Sequence, residues 1–380
     1  MSGQGPVVVV AGGTGGHLFP AAALSHALAA RGFTVHLVTD ERAAQYGGDF
    51  PAYAVHKLAA ATPSGGSLVR RVRAIVTIIR STRAARQLFK QIRPRAVIGF
   101  GGYPTVPPVL AASRLGVPVI LHEGNAVIGR ANRFLADRAE AIAKGFEMLG
   151  GIPDNMAAKT HLTGNPVRPM VIEAARTAFP DYSDGKLRIL VTGGSQGARI
   201  FSDIVPAAIE LMPAAARQKL QITQQARPED EERVRETYKH LGVDAEIQSF
   251  FADLPMRIAQ AHLVISRAGA STVSELAVIG RPAILVPLPG AIDQDQAANA
   301  EQFAATGAAI VVAQGVFSPQ WLVTSLLEAQ GDLEAQGDIA SLARRAAAAK
   351  QTGITDAAER LAGLVQGLVA NKDRIHEVAG

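Results

Sequence analysis

Two glycine-rich loops occupy equivalent places in the chain, and their composition suits them to holding phosphate. Gly12-Gly13-Thr14-Gly15-Gly16-His17 follows the apolar run at residues 7–10, and Gly193-Gly194-Ser195-Gln196-Gly197-Ala198 follows the run at residues 187–192, 181 residues later. Glycines between a strand and a helix let backbone amides approach an anion, and the helix N-terminus adds partial positive charge. The loops therefore favour a phosphate-containing ligand, although tight turns with a purely structural role use the same residues.

A third glycine-containing stretch, residues 266–275, also follows a predicted strand and opens a helix. Its hydroxyl and amide groups suit either a helix cap or a diphosphate. Glu275 lies one turn into that helix, where a carboxylate can bind both hydroxyls of a ribose; an exposed first-turn glutamate favoured by the helix dipole would have the same position. Asp293-Gln294-Asp295 resembles the Asp-x-Asp that holds a metal on a nucleotide sugar, but any loop with two carboxylates matches it, and we predict no metal site.

Several other chemistries are excluded by what the chain lacks. It has no cysteine, which removes disulfides, thiolate metal sites and cysteine nucleophiles together. The dinucleotide fingerprint is incomplete, because Leu18 stands where a small residue is needed and Asp40 falls too far after the loop. Neither loop continues into Gly-Lys-Ser/Thr, so a Walker loop is absent as well. A nicotinamide-dependent oxidoreductase is therefore a weak rival.

The elements around these loops alternate between strand and helix patterns. With 48% hydrophobic and 19% charged residues, the 380-residue chain can bury two large cores. The pattern predicts an α/β fold of two Rossmann-like domains, each with a doubly wound parallel sheet. The boundary is predicted at the proline-rich segment 164–169, which gives an N-terminal domain at 1–165 and a C-terminal domain at 166–349. A final helix at about 350–380 is predicted to pack back on the first domain.

Charge is divided unevenly between the halves. Residues 1–165 contain 18 Lys and Arg against 8 Asp and Glu, whereas residues 166–380 contain 20 against 25. No acidic residue stands between Asp49 and Glu123, so the N-terminal half should attract polyanions. Nucleic acid is not the predicted partner, because aromatic stacking residues are not interleaved with the arginines.

The basic half also carries a helical apolar stripe formed by Leu68, Val72, Ile75, Val76 and Ile79. Arginines lie beside and among these residues. Such a helix is suited to a membrane interface, and the alternative is an ordinary helix whose stripe faces a sheet while its arginines stay solvated. The N-terminus shows no basic region followed by an apolar core, and Gly and Pro interrupt the uncharged run at residues 96–113. We therefore expect neither a secretory signal nor a transmembrane segment.

Six short motifs stand in a fixed order along residues 7–300, and together they resemble the MurG family of bacterial N-acetylglucosaminyltransferases. They are residues 12–17 with Pro20, Gly101-Gly102-Tyr103-Pro104-Thr105, His122-Glu123-Gly124-Asn125, Gly164-Asn165-Pro166-Val167-Arg168, residues 193–198 and residues 267–275. The resemblance implies a GT-B fold, in which two Rossmann-like domains face a central cleft. It also implies transfer of N-acetylglucosamine from UDP-N-acetylglucosamine to undecaprenyl-diphosphoryl-N-acetylmuramyl-pentapeptide, or lipid I, which yields lipid II.

The resemblance also assigns residues to the donor. It implies that Ser195 meets the diphosphate, Glu275 the ribose, and the backbone at Phe250 and Phe251 the uracil edge. The remaining implied contacts are Ala270, Ser271 and Thr272 at the phosphate and sugar, Asn125 and Gln296 at the sugar hydroxyls, Arg168 from the hinge, and Thr14, Gly15 and Gly16 across the cleft. No cofactor is expected. The acceptor implies a peripheral enzyme whose basic half binds the anionic cytoplasmic face of the inner membrane.

The implied reaction is displacement at the anomeric carbon with inversion, which needs a base for the acceptor hydroxyl. We predict His17, because the adjacent helix N-terminus disfavours imidazolium and keeps the ring able to accept a proton; Glu123 is the second candidate. Gly124 and Asp295 depart from residues common in the family. The alternatives are a related GT-B enzyme acting on another lipid, a UDP-N-acetylglucosamine 2-epimerase, or a non-catalytic basic protein.

Overall fold

The computed structural model describes residues 4–12, 15–41, 50–61, 68–194, 197–290, 294–334 and 341–379. The chain divides into two compact units: unit 1 comprises Met1–Arg168 and Asp356–Gly380, and unit 2 comprises Pro169–Thr355. Each unit contains a parallel sheet, so the predicted fold class of two doubly wound parallel-sheet domains is confirmed.

Unit 1, as far as it is described, is built on a seven-stranded sheet in the order β3-β2-β1-β4-β5-β6-β7. Its strands are β1 (Gly5–Val10), β2 (Phe33–Thr39), β3 (Ala54–Lys57), β4 (Val97–Gly99), β5 (Val119–Glu123), β6 (Ala141–Lys144) and β7 (Thr160–Leu162). Its helices are α1 (Gly15–Ala30), α2 (Leu68–Ile92), α3 (Val106–Arg114), α4 (Arg130–Leu135) and α14 (Ala357–Ala379).

The β-branched run of β1 is buried on both faces, which explains why it has no polar alternation. Val7 and Val9 pack in the cluster that includes α1 and α14, whereas Val8 and Val10 pack in the cluster that includes α2 and α3. Helices therefore cover both sides of the sheet, and the C-terminal helix α14 supplies part of one cover. The carboxyl end of β1, where the first glycine loop begins, is fixed between them.

Helix α2 does not turn its predicted apolar stripe toward the sheet. Among its described side chains, those of Ala74, Ser81, Thr82, Ala85 and Phe89 are buried, and they fall along one face of the helix. The stripe residues whose side chains are described stay 40 to 52% exposed: these are Val72, Ile75, Val76 and Ile79. The alternative of an ordinary helix with its stripe on the sheet is therefore wrong, because smaller residues one position away provide the packing face.

Unit 2, within the described residues, has a six-stranded sheet in the order β10-β9-β8-β11-β12-β13. Its strands are β8 (Leu187–Thr192), β9 (Leu220–Gln225), β10 (Asp244–Gln248), β11 (Leu263–Ser266), β12 (Ala283–Leu285) and β13 (Ala309–Val311). Its helices are α5 (Pro169–Ala174), α6 (Arg199–Leu211), α7 (Ala214–Arg217), α8 (Pro228–His240), α9 (Leu254–Gln260), α10 (Ala270–Ile279), α11 (Asp295–Ala305), α12 (Pro319–Glu334) and α13 (Ser341–Gln351).

The first helix begins earlier than its sequence pattern indicates. The pattern predicts a helix over residues 20–30, whereas α1 starts at Gly15 and carries Pro20 inside it. His17 consequently lies in the first turn of a helix and not in the loop before it. No helix formed by the described residues combines the length and the apolar composition that crossing a bilayer requires.

Candidate active site

His17 lies in the first turn of α1, beside the turn that follows β4. Gly101 and Gly102 form that turn with φ angles of 86° and 72°, a conformation that residues with side chains rarely adopt. A Cβ atom built on Gly101 would lie 3.5 Å from His17 Nε2, and one on Gly102 would lie 3.6 Å from His17 Cε1. The two glycines therefore let the half-buried imidazole lie directly against the backbone of the turn. Thr105 fixes the turn, since its hydroxyl donates to the Gly101 carbonyl at 2.6 Å.

The other predicted residues of the first loop lie at the N-terminus of α1. Gly15 is buried and Gly16 is exposed, with no atom within 4 Å of the position that a Cβ would take. Thr14 lies outside the described residues. The start of α1 thus presents open backbone at Gly16 next to the His17 ring.

Glu123, at the end of β5, is buried and organises the loop that follows. Its Oε1 accepts from the backbone N and side-chain Nδ2 of Asn125 at 3.0 and 3.3 Å, and its Oε2 accepts from Gly129 N and Asn132 Nδ2, both at 2.9 Å. Burial raises the pKa of the Glu123 carboxyl, and these hydrogen bonds oppose that rise. Both carboxylate oxygens are therefore occupied in holding Asn125 and the segment before α4.

His122 lies in the interior next to Glu123 and close to His17. Its Nε2 is 3.3 Å from the carbonyl of Gly164, and its ring packs on Phe100 with centroids 4.9 Å apart. Burial, with a smaller contribution from the charge of His17, lowers the pKa of His122 to about 4. The ring is therefore neutral at physiological pH, with Nε2–H donating to Gly164.

Two further residues of the predicted motifs are placed by contacts within unit 1. Asn165 Nδ2 donates to the carbonyl of Gly124 at 2.8 Å, which ties the segment after β7 to the Asn125 loop. The Arg168 guanidinium lies over the ring of Phe19, 4.5 Å from its centroid. Arg168 is thus held against Phe19, which lies on α1 two residues after His17.

In unit 2, the second glycine loop turns sharply at the end of β8. A Cβ atom on Gly193 would lie 2.2 Å from the backbone N of Ala198, so only glycine permits this close approach. Ser195 and Gln196 lie outside the described residues. The flanking residues fix where the loop leaves β8 and where it enters α6.

Gln225, the last residue of β9, connects this loop to the loop that follows β10. Its Oε1 accepts from Thr192 Oγ1 at 2.9 Å and from Gly193 N at 3.1 Å, while its Nε2 donates to Ser249 O at 3.1 Å. The neighbouring Phe250 is 69% exposed, and Phe251 is buried beneath the Arg257 guanidinium, which lies 4.3 Å from its ring centroid. The backbone predicted to meet a base edge thus has one exposed and one anchored aromatic residue.

Helix α10 begins at the third glycine-containing stretch. Gly269 is its N-cap and makes no side-chain capping bond, and Ala270, Ser271 and Thr272 form a half-buried first turn. Glu275 is only 6% exposed, so it is not the solvated first-turn glutamate that the sequence left open. A carboxylate buried at this position is suited to binding vicinal hydroxyls.

Two side chains, those of Arg267 and Asn299, brace the segment that leads into α10. Arg267 donates to the carbonyls of Val286 and Pro287 at 3.0 and 3.1 Å and to Gln314 Oε1 at 2.7 Å. Asn299 of α11 is buried and donates to the carbonyl of Ala268 at 3.1 Å. Burial lowers the pKa of Arg267.

Gln296, in the first turn of α11, has a defined amide orientation. Its Oε1 accepts from the backbone N of Leu288 at 3.0 Å, so its Nε2 is the end that can donate to a ligand. Asp295 accepts from the Gln296 backbone N at 3.0 Å. The described residues include no group of three or more His, Asp or Glu side chains arranged to hold a metal ion.

The loops of unit 2 converge because parallel strands end at the same edge of their sheet. That edge brings together the residues after β8, β9, β10 and β11, and with them Gln225, Phe250 and Glu275. In unit 1 the equivalent edge brings together His17, His122 and Glu123.

The sequence did not predict Gln225, Asn132 and Arg267 as residues with positioning contacts at the site. Each of them contacts a residue that is distant in the sequence, so the spacing of neighbouring residues could not reveal its role.

Two parallel-sheet units, each with a glycine loop at the carboxyl edge, form a GT-B fold, and the family match identifies the chain as a glycosyltransferase. Glycosyltransferase family 28 matches the chain in both halves, its N-terminal domain at residues 7–144 and its C-terminal domain at residues 188–361.

The chain belongs to the MurG family of N-acetylglucosamine transferases. A relative from Methylorubrum populi, named UDP-N-acetylglucosamine–N-acetylmuramyl-(pentapeptide) pyrophosphoryl-undecaprenol N-acetylglucosamine transferase, is 54% identical over 94% of this chain and 96% of its own. A relative of the same name from Brucella suis is 50% identical over 98% of this chain and 96% of its own. The family predicted from the six motifs is confirmed.

Solved structures agree with this assignment. The crystal structure of Acinetobacter baumannii MurG superposes with a TM-score of 0.75 at 29% identity, covering 96% of this chain and 99% of that one. A UDP-GlcNAc 2-epimerase from Neisseria meningitidis bound to UDP-GlcNAc reaches a TM-score of 0.65 at 17% identity, covering 94% and 98%. The second likeness shows a shared fold only, so the epimerase alternative gains no support beyond architecture.

Proposed function

We propose that this chain transfers N-acetylglucosamine from UDP-N-acetylglucosamine to the 4-hydroxyl of the N-acetylmuramyl-pentapeptide carried on undecaprenyl diphosphate, which converts lipid I into lipid II. The observation that carries the proposal is the buried carboxylate of Glu275, on the helix that opens at the carboxyl edge of the unit 2 sheet, in a chain 50 to 54% identical to relatives named for this reaction. A Rossmann-like protein of unrelated function would need neither a buried carboxylate at this position nor this degree of identity to the named relatives.

The donor is proposed to bind unit 2 at the carboxyl edge of its sheet. Glu275 accepts hydrogen bonds from the ribose hydroxyls, and the backbone at Phe250 and Phe251 meets the uracil edge. Ser195 and the N-terminus of α10, at Ala270, Ser271 and Thr272, hold the diphosphate and sugar. The α10 N-terminus suits this role because its N-cap, Gly269, makes no side-chain capping bond.

We propose that the sugar hydroxyls are bound by amide side chains whose orientation is fixed by other hydrogen bonds. Gln296 offers Nε2 as a donor, because Leu288 already uses its Oε1. Asn125 is held by Glu123 through both its backbone N and its Nδ2. Arg168, Gly15, Gly16 and Thr14 complete the proposed set on unit 1.

His17 is the proposed general base. The acceptor hydroxyl oxygen attacks the anomeric carbon, the bond from that carbon to the diphosphate oxygen breaks, and the hydroxyl proton passes to His17 while UDP departs. Its ring lies in the first turn of α1, against the turn formed by Gly101 and Gly102. Glu123, the second candidate, is less suited to this step because four N–H donors already occupy its two oxygens.

The reaction is proposed to need no metal and to proceed on a membrane surface. Backbone N–H groups at the helix N-termini can stabilise the leaving diphosphate. The exposed stripe of α2 and its arginines suit an anionic bilayer, which would place the enzyme peripherally on the cytoplasmic face of the inner membrane.

A transfer assay tests the proposal directly. The purified chain is incubated with radiolabelled UDP-N-acetylglucosamine and an undecaprenyl-linked acceptor in detergent, with and without EDTA. We expect one labelled sugar per acceptor and equal rates in both conditions. Conversion of the donor to its 2-epimer without transfer, or transfer only to a different lipid, would reject the proposed acceptor, and loss of activity in EDTA would reject metal independence.

A further inference from the structure

The side chain of Gln225 links two loops that follow different strands. It is the last residue of β9, the strand between β8 and β10, and it is 7% exposed. Its carbonyl oxygen bonds to the loop after β8, through Thr192 and Gly193, and its amide nitrogen bonds to the loop after β10, through Ser249. One side chain therefore sets the distance between the two loops.

The polarity of this link is fixed by its partners. The backbone N of Gly193 can only donate and the carbonyl of Ser249 can only accept, so the amide of Gln225 has a single productive orientation. The Thr192 hydroxyl donates to Gln225 and itself accepts from Gly194 N at 3.3 Å. Two successive backbone N–H groups of the glycine loop are thus ordered through one carboxamide.

We infer that Gln225 is a positioning residue that holds the diphosphate-binding loop and the uracil-binding loop at the spacing of a uridine diphosphate. This inference rests on the proposed function, which places the diphosphate at the first loop and the uracil at residues 249–251. Gln225 does not touch the donor in this arrangement. It makes the two half-sites act together, so that binding of the nucleoside strengthens binding of the diphosphate.

The informative quantity is the ratio of the affinity for UDP to the affinity for uridine. A spacing defect weakens the compound that spans both loops more than the compound that occupies one. We expect Gln225→Met, which keeps the volume and removes the hydrogen bonds, to lower this ratio by about 10-fold, the range expected for one or two lost buried hydrogen bonds. The KM for UDP-N-acetylglucosamine should rise by a similar factor, with the KM for the lipid acceptor unchanged.

Gln224 provides a matched control on the same strand. It is fully buried, its Nε2 donates to Phe201 O at 3.3 Å and its Oε1 accepts from the Tyr238 hydroxyl at 2.6 Å, all on the opposite face of the sheet. Gln224→Met therefore loses comparable bonds in the core of unit 2. We expect it to lower the melting temperature while leaving the UDP to uridine ratio at the wild-type value.

Calorimetric titration of the full-length wild type and variants with UDP and with uridine decides the question. Gln225→Glu serves as a second variant if Gln225→Met does not fold, since it keeps the shape but turns an acceptor toward Ser249 O; it should also lower the ratio. An unchanged ratio in folded Gln225 variants, or an equal fall in Gln224→Met, would overturn the inference. Failure of the wild type to bind UDP at all would instead remove the proposed function on which the inference rests.

Discussion

Of the two candidate bases, Glu123 is the weaker one because its carboxylate already accepts hydrogen bonds from neighbouring residues. Glu123 holds Asn125, Gly129 and Asn132, so a proton transfer to it would disturb the loop it organises. His17 packs against the turn formed by Gly101 and Gly102. The four hydrogen bonds that Glu123 accepts are what place it second to the histidine as the candidate base.

Replacing His17 tests this assignment. We expect His17→Ala to lower kcat by about 10²-fold or more, the usual contribution of a general base, with UDP affinity retained because the nucleotide is assigned to unit 2. The measurement is steady-state transfer together with UDP titration. His26→Ala, an exposed histidine on the same helix, is the control. Near-normal turnover of His17→Ala would exclude it as the base.

His122 should make the fold sensitive to acid. Its pKa in the folded protein is about 4, below the ordinary 6.5, so below pH 6.5 the unfolded chain binds a proton that the folded chain does not. Stability is therefore lost as the pH falls from about 6.5 to about 4, by at most about 3 kcal/mol. Glu123, whose pKa is raised by burial, acts in the opposite direction over its own range.

The contribution of His122 can be isolated with His122→Gln, which keeps an N–H donor for Gly164. Urea unfolding at pH 7.5 and pH 5 should show a smaller acid loss in this variant than in the wild type. His161→Gln, at an exposed position on β7, should keep the wild-type profile. Parallel pH profiles for His122→Gln and wild type would contradict the assignment.

At the scale of elements, α2 shows that an apolar stripe does not by itself identify the packing face. Ala74, Ser81 and Ala85 lie on the face of α2 that packs against the rest of unit 1, because small side chains let a helix lie close to its neighbours. The larger Ile75 and Ile79 are left outward, 50 and 45% exposed, among arginines. An exposed aliphatic patch with a basic surround is the arrangement expected for a surface that meets anionic lipid.

A charge placed in this stripe should weaken membrane binding. We expect Ile75→Asp to lower the affinity for vesicles containing phosphatidylglycerol by about 10-fold, since it removes a half-buried aliphatic contact and adds repulsion. Co-sedimentation at low and high salt measures the effect. Leu211→Asp, at a 52% exposed position on α6 of unit 2, is the matched control. Equal loss in the two variants would indicate a general change in solubility and not a lipid-binding face.

The sequence predicted the strands that are buried and β-branched, such as β1 and β8, because burial on both faces removes polar residues. It did not predict β3, β6, β7 or β10. The edge strand β10 reads Asp-Ala-Glu-Ile-Gln, and its exposed position removes the apolar run that makes a central strand recognisable. Edge strands of this kind are defined by their neighbours and not by their own pattern.

The residues of the candidate site fall into the same two groups: those that a local sequence pattern predicts, and those that only the fold reveals. Glycine loops and Glu275 were found because a local pattern of strand, glycine and helix specifies them. Gln225 was not, since its role depends on Thr192 and Ser249, which lie 33 and 24 residues away. Residues that join loops across a sheet become visible only when the strand order is known.

At the scale of the whole molecule, the chain returns at its end to complete the unit where it began. Leu361 and Val365 of α14 are fully buried in the cluster that contains Val7, Val9 and α1. Arg31, the residue after α1, pairs with Glu359 at 2.7 Å, but both side chains are partly exposed and such a pair contributes at most about 1 kcal/mol. The stabilisation therefore comes from aliphatic burial, and the segment from Asp356 onward belongs to unit 1.

Because α14 is buried in unit 1, a cavity in this helix should destabilise unit 1 more than unit 2. Leu361→Ala should destabilise unit 1 by about 2 to 5 kcal/mol, the range for a buried leucine replaced by alanine, whereas Glu359→Gln should cost less than about 1 kcal/mol. The chain has one tryptophan, Trp321, which lies in α12 of unit 2, so its fluorescence reports unit 2 while far-ultraviolet circular dichroism reports both units. In urea, Leu361→Ala should add an early dichroism transition that precedes the fluorescence change and leaves UDP binding intact. Coincident transitions shifted equally in both signals would show that α14 stabilises the whole chain and not unit 1 alone.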